Sequence, residues 1–393
     1  MIKSFHIFAN AALGEGLSGS DRIFIEFSKR LQKKFNIFIH VWEEGYKMCL
    51  RQNLRESKNI KFSVMNVYPL LKLNFFICYL ARIFFACIDA FKLNILESDS
   101  TVVYSASEFW MDSLPSMILK IRYPKITWVA AWFQTAPNPL KGFTRGEREN
   151  TYKLSAFYYW LMQLPIKPAV TNLADVVLVN NELEKDQFSR LNKKGKVLVI
   201  LGAVNIEEIK DYVNKKNLKK YDAVFQGRFH PQKGVVELID IWKMVTRKKP
   251  EAKLVMIGDG PLMDEVEKRI LKLNLGENIS LLGYIFDGPE KYKIFSQSKI
   301  VLHPAFYDSG GMAAAEAMAF GLPCVGFNLE SYRSYYPKGM VKVKVGDLKE
   351  FSNVVIELLN NKDKREKIGI EAQKMIAENW SWDKRVNSLL DFL

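Results

Sequence analysis

His303-Pro-Ala-Phe-Tyr-Asp308-Ser309-Gly310-Gly311-Met312-Ala-Ala-Ala-Glu316-Ala-Met-Ala-Phe320-Gly321-Leu-Pro323-Cys-Val-Gly326 is the stretch that decides how this chain is read. It sets one carboxylate, Asp308, in a loop, two glycines after it, and a second carboxylate, Glu316, on a helix expected over Met312 to Phe320. The Ala-rich run favours that helix, and Gly321 with Pro323 ends it. Gly310 and Gly311 let the backbone approach a ligand with no Cβ in the way. The first N–H groups of a helix lack intrahelical acceptors and sit at the positive end of its dipole, which suits phosphate or sugar oxygens. A carboxylate one turn further in can accept hydrogen bonds from a ribose diol. The stretch therefore reads as a site for a nucleotide-linked sugar.

Outward from it, short apolar runs alternate with helical patterns along the whole chain. Ile2 to Phe8 is strand-like and is followed by a Gly-containing loop and a helix through Leu31. Ile37 to Trp42, Val102 to Ser105, Ile126 to Ala130 and Val176 to Val179 are expected as further strands. Ala223 to Gln226, Leu254 to Ile257, Ile279 to Leu282, Ile300 to His303 and Cys324 to Phe327 form a second series. Strands separated by helices argue for parallel sheets in an α/β architecture. The weakly patterned, Lys-rich stretch from about Asn205 to Lys220 is read as the linker between two Rossmann-like domains, whose ligands gather at the carboxyl ends of the strands.

The stretch resembles the signature of the retaining GT-B glycosyltransferases of family 4, also called group 1. That signature has two carboxylates eight positions apart, a Gly-rich loop between them, and a Glu-Ala-Met-Ala-x-Gly-x-Pro run that Glu316 to Pro323 matches fully. Asp308 stands where the family usually has Glu, and Ser309-Gly310-Gly311 where it usually has Gly-Phe-Gly. The charge is kept and the reach is about one methylene shorter. Gln226-Gly-Arg228-Phe-His-Pro-Gln-Lys233-Gly234 is similar to the family's Gly-Arg…Lys-Gly motif. Arg offers a planar fork and Lys a compact charge, and both suit a diphosphate. The resemblance implies that Arg228 and Lys233 neutralise a departing nucleoside diphosphate with no metal and no cofactor, that Asp308 orients donor-sugar hydroxyls with Ser309 and the Gly310, Gly311 and Met312 amides, and that Glu316 holds the ribose. It places Gly258 and Gly260, in the turn after Leu254 to Ile257, beside the nucleotide, and Tyr284, after Gly283, near the base. Gly14 to Arg22 resembles the family's Gly-Gly-x-x-x-Arg loop, with Ser18 in place of one glycine, so that Gly19 is the position carried over. Many members have a His near the end of the strand that here runs into Gln134; Gln134 is carried over as a sugar-hydroxyl partner only. Glu108 is a candidate to approach the acceptor, against its plainer reading as a surface carboxylate. His230 and His303 are read as packed or hydrogen-bonded histidines. Trp380-Ser-Trp382 is similar to the motif at which the last helix crosses back to the first domain. The expected fold is thus GT-B, two Rossmann-like domains facing a cleft, with residues 1–205 binding the acceptor, 206–379 binding the nucleotide-sugar, and 380–393 packing back on the first. The implied chemistry is transfer of a hexose-type sugar to a hydroxyl with retention, without a protein nucleophile, the donor phosphate helping to take the acceptor's proton.

The bulk properties constrain the partners. The chain has 393 residues and a net charge of +14, of which residues 1–200 carry +10. A basic, aromatic first half suits a membrane surface and an acceptor glycan that is lipid-linked. Nucleic acid is not expected, because no zinc-finger spacing, RNP-like motif or basic heptad region is present. Cys49, Cys78, Cys87 and Cys324 form no CxxC pair, and the four histidines have no metal-ligand spacing. Reduced thiols and the lack of a basic-then-apolar leader point to a cytoplasmic protein, peripheral on the cytosolic face of the membrane. Leu70 to Leu96 is strongly apolar but interrupted by Arg82 and Asp89, so it reads either as a core helix or as a helix lying at a bilayer surface. Phe157 to Pro168 is a second aromatic segment of the same kind. Two rivals remain at this point: a subunit that binds nucleotide-sugar without transferring it, and a phosphorolytic enzyme on the same architecture.

Overall fold

The computed structural model describes residues 2–13, 16–144, 148–191, 195–213 and 218–393. The chain forms two compact units, one of Met1–Ala136, Tyr158–Gly202 and Trp382–Leu393, the other of Pro137–Phe157 and Ala203–Ser381.

The first unit is built on a seven-stranded parallel sheet. Its strands are β1 (Ser4–Phe8), β2 (Asn36–Trp42), β3 (Ile60–Met65), β4 (Thr101–Ser105), β5 (Thr127–Ala131), β6 (Val176–Val179) and β7 (Lys196–Val199), in the order β3-β2-β1-β4-β5-β6-β7. The order reverses between β1 and β4, which pair with Phe8 opposite Ser105. All five residues of β4 are buried, as a strand covered on both faces requires. The helices are α1 (Gly19–Leu31), α2 (Glu43–Arg51), α3 (Tyr68–Leu73), α4 (Phe75–Lys92), α5 (Trp110–Arg122), α6 (Lys153–Gln163), α7 (Ile166–Leu173) and α8 (Glu182–Leu191), α6 carrying the chain across the boundary at residue 157. The apolar stretch Leu70 to Leu96 is two helices, broken at Asn74, whose side chain accepts from Phe76 N at 2.7 Å and so starts α4. Cys78, Arg82, Ala86 and Ala90 recur every four residues and form the buried face of α4. The core-helix reading holds for that face alone.

The second unit carries a six-stranded parallel sheet of β8 (Tyr221–Gln226), β9 (Leu254–Ile257), β10 (Ile279–Leu281), β11 (Ser298–His303), β12 (Cys324–Phe327) and β13 (Met340–Val343), in the order β10-β9-β8-β11-β12-β13. The order reverses between β8 and β11. Its helices are α9 (Ile206–Val213), α10 (Val235–Lys248), α11 (Met263–Lys272), α12 (Pro289–Ser296), α13 (Met312–Met318), α14 (Tyr332–Tyr335), α15 (Leu348–Asn360) and α16 (Lys362–Asn379). Phe225, Leu254, Met256, Leu302 and Phe327 on the strands pack with Trp242, Val245, Phe351 and Val355 on α10 and α15, all fully buried. Each such side chain contributes about 1.5–3 kcal/mol of burial.

Several expectations need correction. The stretch read as a linker holds α9, with residues 214–217 lying outside the described residues. The strands β3, β7 and β13 were not anticipated. The helix after Asp308 ends at Met318 rather than Phe320, because the N–H of Gly321 turns to the carbonyl of Met318 at a left-handed glycine. Residues 137–157 fold onto α10: the buried Arg148 donates to both carboxylate oxygens of Glu237, at 2.5 and 3.1 Å, and lies over the rings of Tyr152 and Phe306. The last helix, α17 (Trp382–Leu390), belongs to the first unit. Trp382 meets Phe27 of α1 edge-on, and Asp383 accepts from Arg30 at 3.0 Å.

Candidate functional site

Eleven of the thirteen residues singled out for donor binding and catalysis lie in the second unit, in the loops after its parallel strands and the helices they start: Arg228 and Lys233 after β8, Gly258 and Gly260 after β9, Tyr284 after β10, Asp308 to Met312 after β11, and Glu316 on α13. Gly19 and Gln134 belong to the first unit.

The loops are tied to each other through backbone. Gly227 N donates to Ile257 O, Gly258 N to Gly283 O, and Phe229 N to Asp259 O, at 2.7–3.0 Å. Phe306 N and Tyr307 N both donate to Gln232 O. Gly258 has a φ of 141°, and a Cβ there would collide with the carbonyl oxygen of Gly227, so the close approach of the two loops requires glycine. Gly311, at φ 61°, starts α13, and a Cβ would press on the His303 ring at 2.8 Å. The backbone of Gly310 lies against the ring of Tyr335.

Asp308 is the centre of a buried network. Its Oδ2 receives the Lys233 ammonium at 2.5 Å, the Tyr332 hydroxyl at 3.0 Å and His303 Nε2 at 3.1 Å, and its carbonyl oxygen accepts from Ser331 at 2.7 Å. Burial by itself would raise the Asp308 carboxyl; the Lys233 charge and the His303 and Lys233 hydrogen bonds outweigh it and hold the group well below the usual carboxylate range. Burial pushes the His303 ring down, against the pull of Asp308, and pushes the Tyr332 phenol up. His230 is pushed down to about 3 by burial and by the nearby Arg228, Lys233 and Arg148 charges. A neutral His230 leaves the positive charge of this corner to Arg228, which is exposed, and Lys233, which is largely covered.

Glu316 is buried on α13 and its Oε2 accepts from Gln226 Nε2 at 2.9 Å and from Lys291 Nζ at 2.7 Å. Lys291, itself buried on α12, also pairs with Asp287. This cluster orients Glu316 at the end of β8. Below the glycine pair, the Tyr336 hydroxyl donates to Gly311 O, and the Tyr336 ring stacks on Trp380 at 5.7 Å. Sequence reading missed Lys291, Tyr332 and Tyr336. The Tyr332-x-x-Tyr335-Tyr336 cluster after β12 was the available signal for the last two; Lys291 sits in an ordinary-looking helix and gave none.

In the first unit, Gly19 is the first residue of α1, and Ser18 before it is the helix cap, exchanging hydrogen bonds with Asp21. Gly14 and Glu15 of the same loop lie outside the described residues. The Gln134 carbonyl accepts from Tyr159 and Gln163, while its Nε2 is buried without a partner. Glu108 is a buried carboxyl, not a surface one. It accepts from the Tyr159 hydroxyl at 2.8 Å, and burial raises it to about 7.

Residues 206–375 match the sequence model of the glycosyl transferases group 1. An uncharacterized glycosyltransferase of Methanocaldococcus jannaschii is 24% identical over 92% of this chain and 91% of its own length. The UDP-Gal:alpha-D-GlcNAc-diphosphoundecaprenol alpha-1,3-galactosyltransferase of Escherichia coli is 24% identical over 42% of this chain and 46% of its own. The matched stretch spans 45%, 67% and 56% of the first three curated relatives, so the chain covers about half the length of several of them. Among solved structures, Anabaena HepE in complex with UDP and glucose superposes with a TM-score of 0.71, covering 100% of this chain and 99% of that one at 14% identity. Staphylococcus aureus TarM, in complex with UDP and acceptor analogues, superposes with 0.74 at 14% identity, covering 100% of this chain and 99% of that one. Such likeness establishes the architecture, and with the matched signature it places the protein: the chain belongs to the glycosyl transferases group 1, family 4, and has the GT-B fold.

Proposed function

We propose that the protein is a retaining glycosyltransferase that moves a hexose-type sugar from a nucleotide diphosphate donor, of which a UDP-sugar is the first choice, to a hydroxyl of a lipid-linked or other membrane-borne glycan. The observation that carries the reading is the grouping at the strand ends of the second unit: Lys233 paired with a deeply ionised Asp308, Arg228 exposed beside them, and Glu316 held by Lys291 and Gln226. The UDP in HepE and TarM, and the UDP-Gal and diphosphoundecaprenol in the name of the E. coli relative, support the choice of donor and acceptor class.

In this account the bond from the anomeric carbon to the diphosphate breaks as the acceptor oxygen attacks from the same face. Arg228 and Lys233 take up the charge that develops on the departing phosphate, which fixed cations with little access to water do well. Asp308 and the amides of Gly310, Gly311 and Met312 orient sugar hydroxyls, with Ser309 beside them. Glu316 binds the ribose, Tyr284 lies near the base, and Gly258 and Gly260 let the backbone approach the nucleotide. The donor phosphate accepts the acceptor proton. Gly19 and Gln134 contribute from the first unit, to the diphosphate and to a sugar hydroxyl.

A panel of UDP-, GDP-, ADP- and CMP-linked sugars tests this, read as binding and as slow hydrolysis without acceptor. Selective turnover of one donor is the expected result. Selective binding with no turnover, even after membrane lipid extract is added, would make the protein a nucleotide-sugar-binding subunit instead.

A further inference from the structure

The outward face of α4 is unlike the rest of the first unit. Phe75, Phe76, Ile77, Leu80, Phe84, Phe85 and Phe91 are all exposed, Leu80 and Phe84 to 60% and 61%. Ile83, Cys87 and Ile88 lie half-buried between them, and Asp89 is the one acid on the helix, its carboxyl raised by partial burial. Seven large apolar side chains on one 18-residue helix form a contiguous patch of a kind that monomeric proteins rarely leave in water. Basic groups mark both ends. Exposed Lys72 ends α3, and Lys47 lies over the Tyr68 ring of the same helix at 5.2 Å. Exposed Lys92 ends α4, and Arg122 donates to Ala90 O and Leu93 O there. Among the described residues no helix is long and apolar enough to cross a membrane.

We infer that α4 is a docking helix that lies in the headgroup region of an anionic lipid bilayer. The aromatic and aliphatic face enters the acyl boundary, and the lysines and arginine at its ends pair with phosphates. A protein partner would favour a mixed apolar and polar surface with acids or hydrogen-bonding groups at its core; an unbroken apolar stripe closed by cations matches a lipid interface better. The helix is also wired to the sheet. Arg82, on its buried face, donates to Asn10 O and Ala12 O of the loop after β1 at 3.1 and 3.2 Å, and its guanidinium lies over Trp42 at 4.5 Å. Asp112 fixes the same loop through Asn10 N at 2.5 Å. Docking therefore sets the carboxyl end of β1, where the strand order reverses, close to the bilayer. This deepens the proposed function, since an acceptor on a lipid would be met at that end, and it rests on that reading only for what the docking serves.

The test is co-sedimentation of the full chain with vesicles of phosphatidylcholine, alone or mixed with phosphatidylglycerol, for wild type, Leu80→Glu/Phe84→Glu and Lys72→Glu/Lys92→Glu. Both pairs are solvent-exposed, and circular dichroism melts check that the variants fold. Wild type is expected to bind the anionic vesicles, the apolar variant to lose about tenfold or more in partitioning, and the charge variant to lose its preference for phosphatidylglycerol. Wild type remaining in the supernatant with every vesicle overturns the inference, as does unchanged binding by Leu80→Glu/Phe84→Glu. A concentration-dependent dimer that the apolar variant abolishes, with no vesicle binding, assigns the face to a second copy and also overturns it. Donor hydrolysis measured without vesicles reports on the transferase reading separately, so the two failures are distinguishable.

Discussion

Asp308 shows how a shortened side chain is accommodated. With one methylene less than Glu, its carboxylate still reaches Lys233, His303 and Tyr332, all buried around it. The surrounding aromatic shelf is where a single hydroxyl can be tested. Tyr336→Phe removes the bond to Gly311 O and leaves the ring on Trp380. It is expected to weaken donor binding about fivefold, from a hydrogen bond worth ~1 kcal/mol, when titrated calorimetrically. Buried titratable groups in the first unit set a pH signature. Burial depresses His40 to about 3 and His6 to about 4, so their share of stability is complete above the unfolded value near 6.5 and is lost as pH falls toward the folded values. Asp112 and Glu108 are raised by burial to about 8 and about 7, so their share is complete in acid and is lost as pH rises through those values. Urea midpoints of Asp112→Asn are expected to gain on wild type by on the order of 2 kcal/mol between pH 5 and pH 8. An unchanged difference would mean that Asp112 is ionised in the fold. At this scale the sequence displayed the glycines and carboxylates of the site, because their chemistry is unusual in a loop. It hid Lys291 and Glu108, because burial of a charged residue leaves no mark on its neighbours in sequence.

At the scale of elements, the central strands were readable and three edge strands were not. β1, β4, β8 and β11 are covered on both faces and so are continuous apolar runs. β3 (Ile-Lys-Phe-Ser-Val-Met), β7 (Lys-Val-Leu-Val) and β13 (Met-Val-Lys-Val) lie at sheet edges, mix lysine into short runs, and resemble loop or helix ends. The α1 cap was also visible in principle. Ser18 was read as a substituted glycine, whereas Ser18 and Asp21 form a capping box. Ser18→Ala is expected to cost about 1 kcal/mol in chemical denaturation. Gly258→Ala should cost about 2 kcal/mol or more and impair donor binding, since both its φ and the Gly227 carbonyl exclude a Cβ. A fully active, equally stable Gly258→Ala protein would contradict the tight loop pairing described here.

For the whole molecule, the alternation of strands and helices was enough to anticipate two parallel α/β units, while the path of the chain between them was not. Residues 137–157 leave the first series of strands and pack on α10, and nothing in their composition signals it; the contact is long-range, through Arg148 and Glu237. Arg148→Ala strands a largely covered carboxylate and is expected to lower the stability of the second unit by about 3 kcal/mol, measured by calorimetry. The central claim is that the second unit binds a nucleotide-sugar and drives the diphosphate's departure. Its most direct test is steady-state kinetics on the donor that the wild type turns over, with Lys233→Ala and Glu316→Ala beside it. Lys233→Ala should lower kcat by about 10²–10³, the cost of losing one group that meets the developing charge, and Glu316→Ala should mainly raise KM for the donor. Wild-type kcat and KM in both variants would contradict the account, because neither the leaving group nor the ribose would then be where these residues stand.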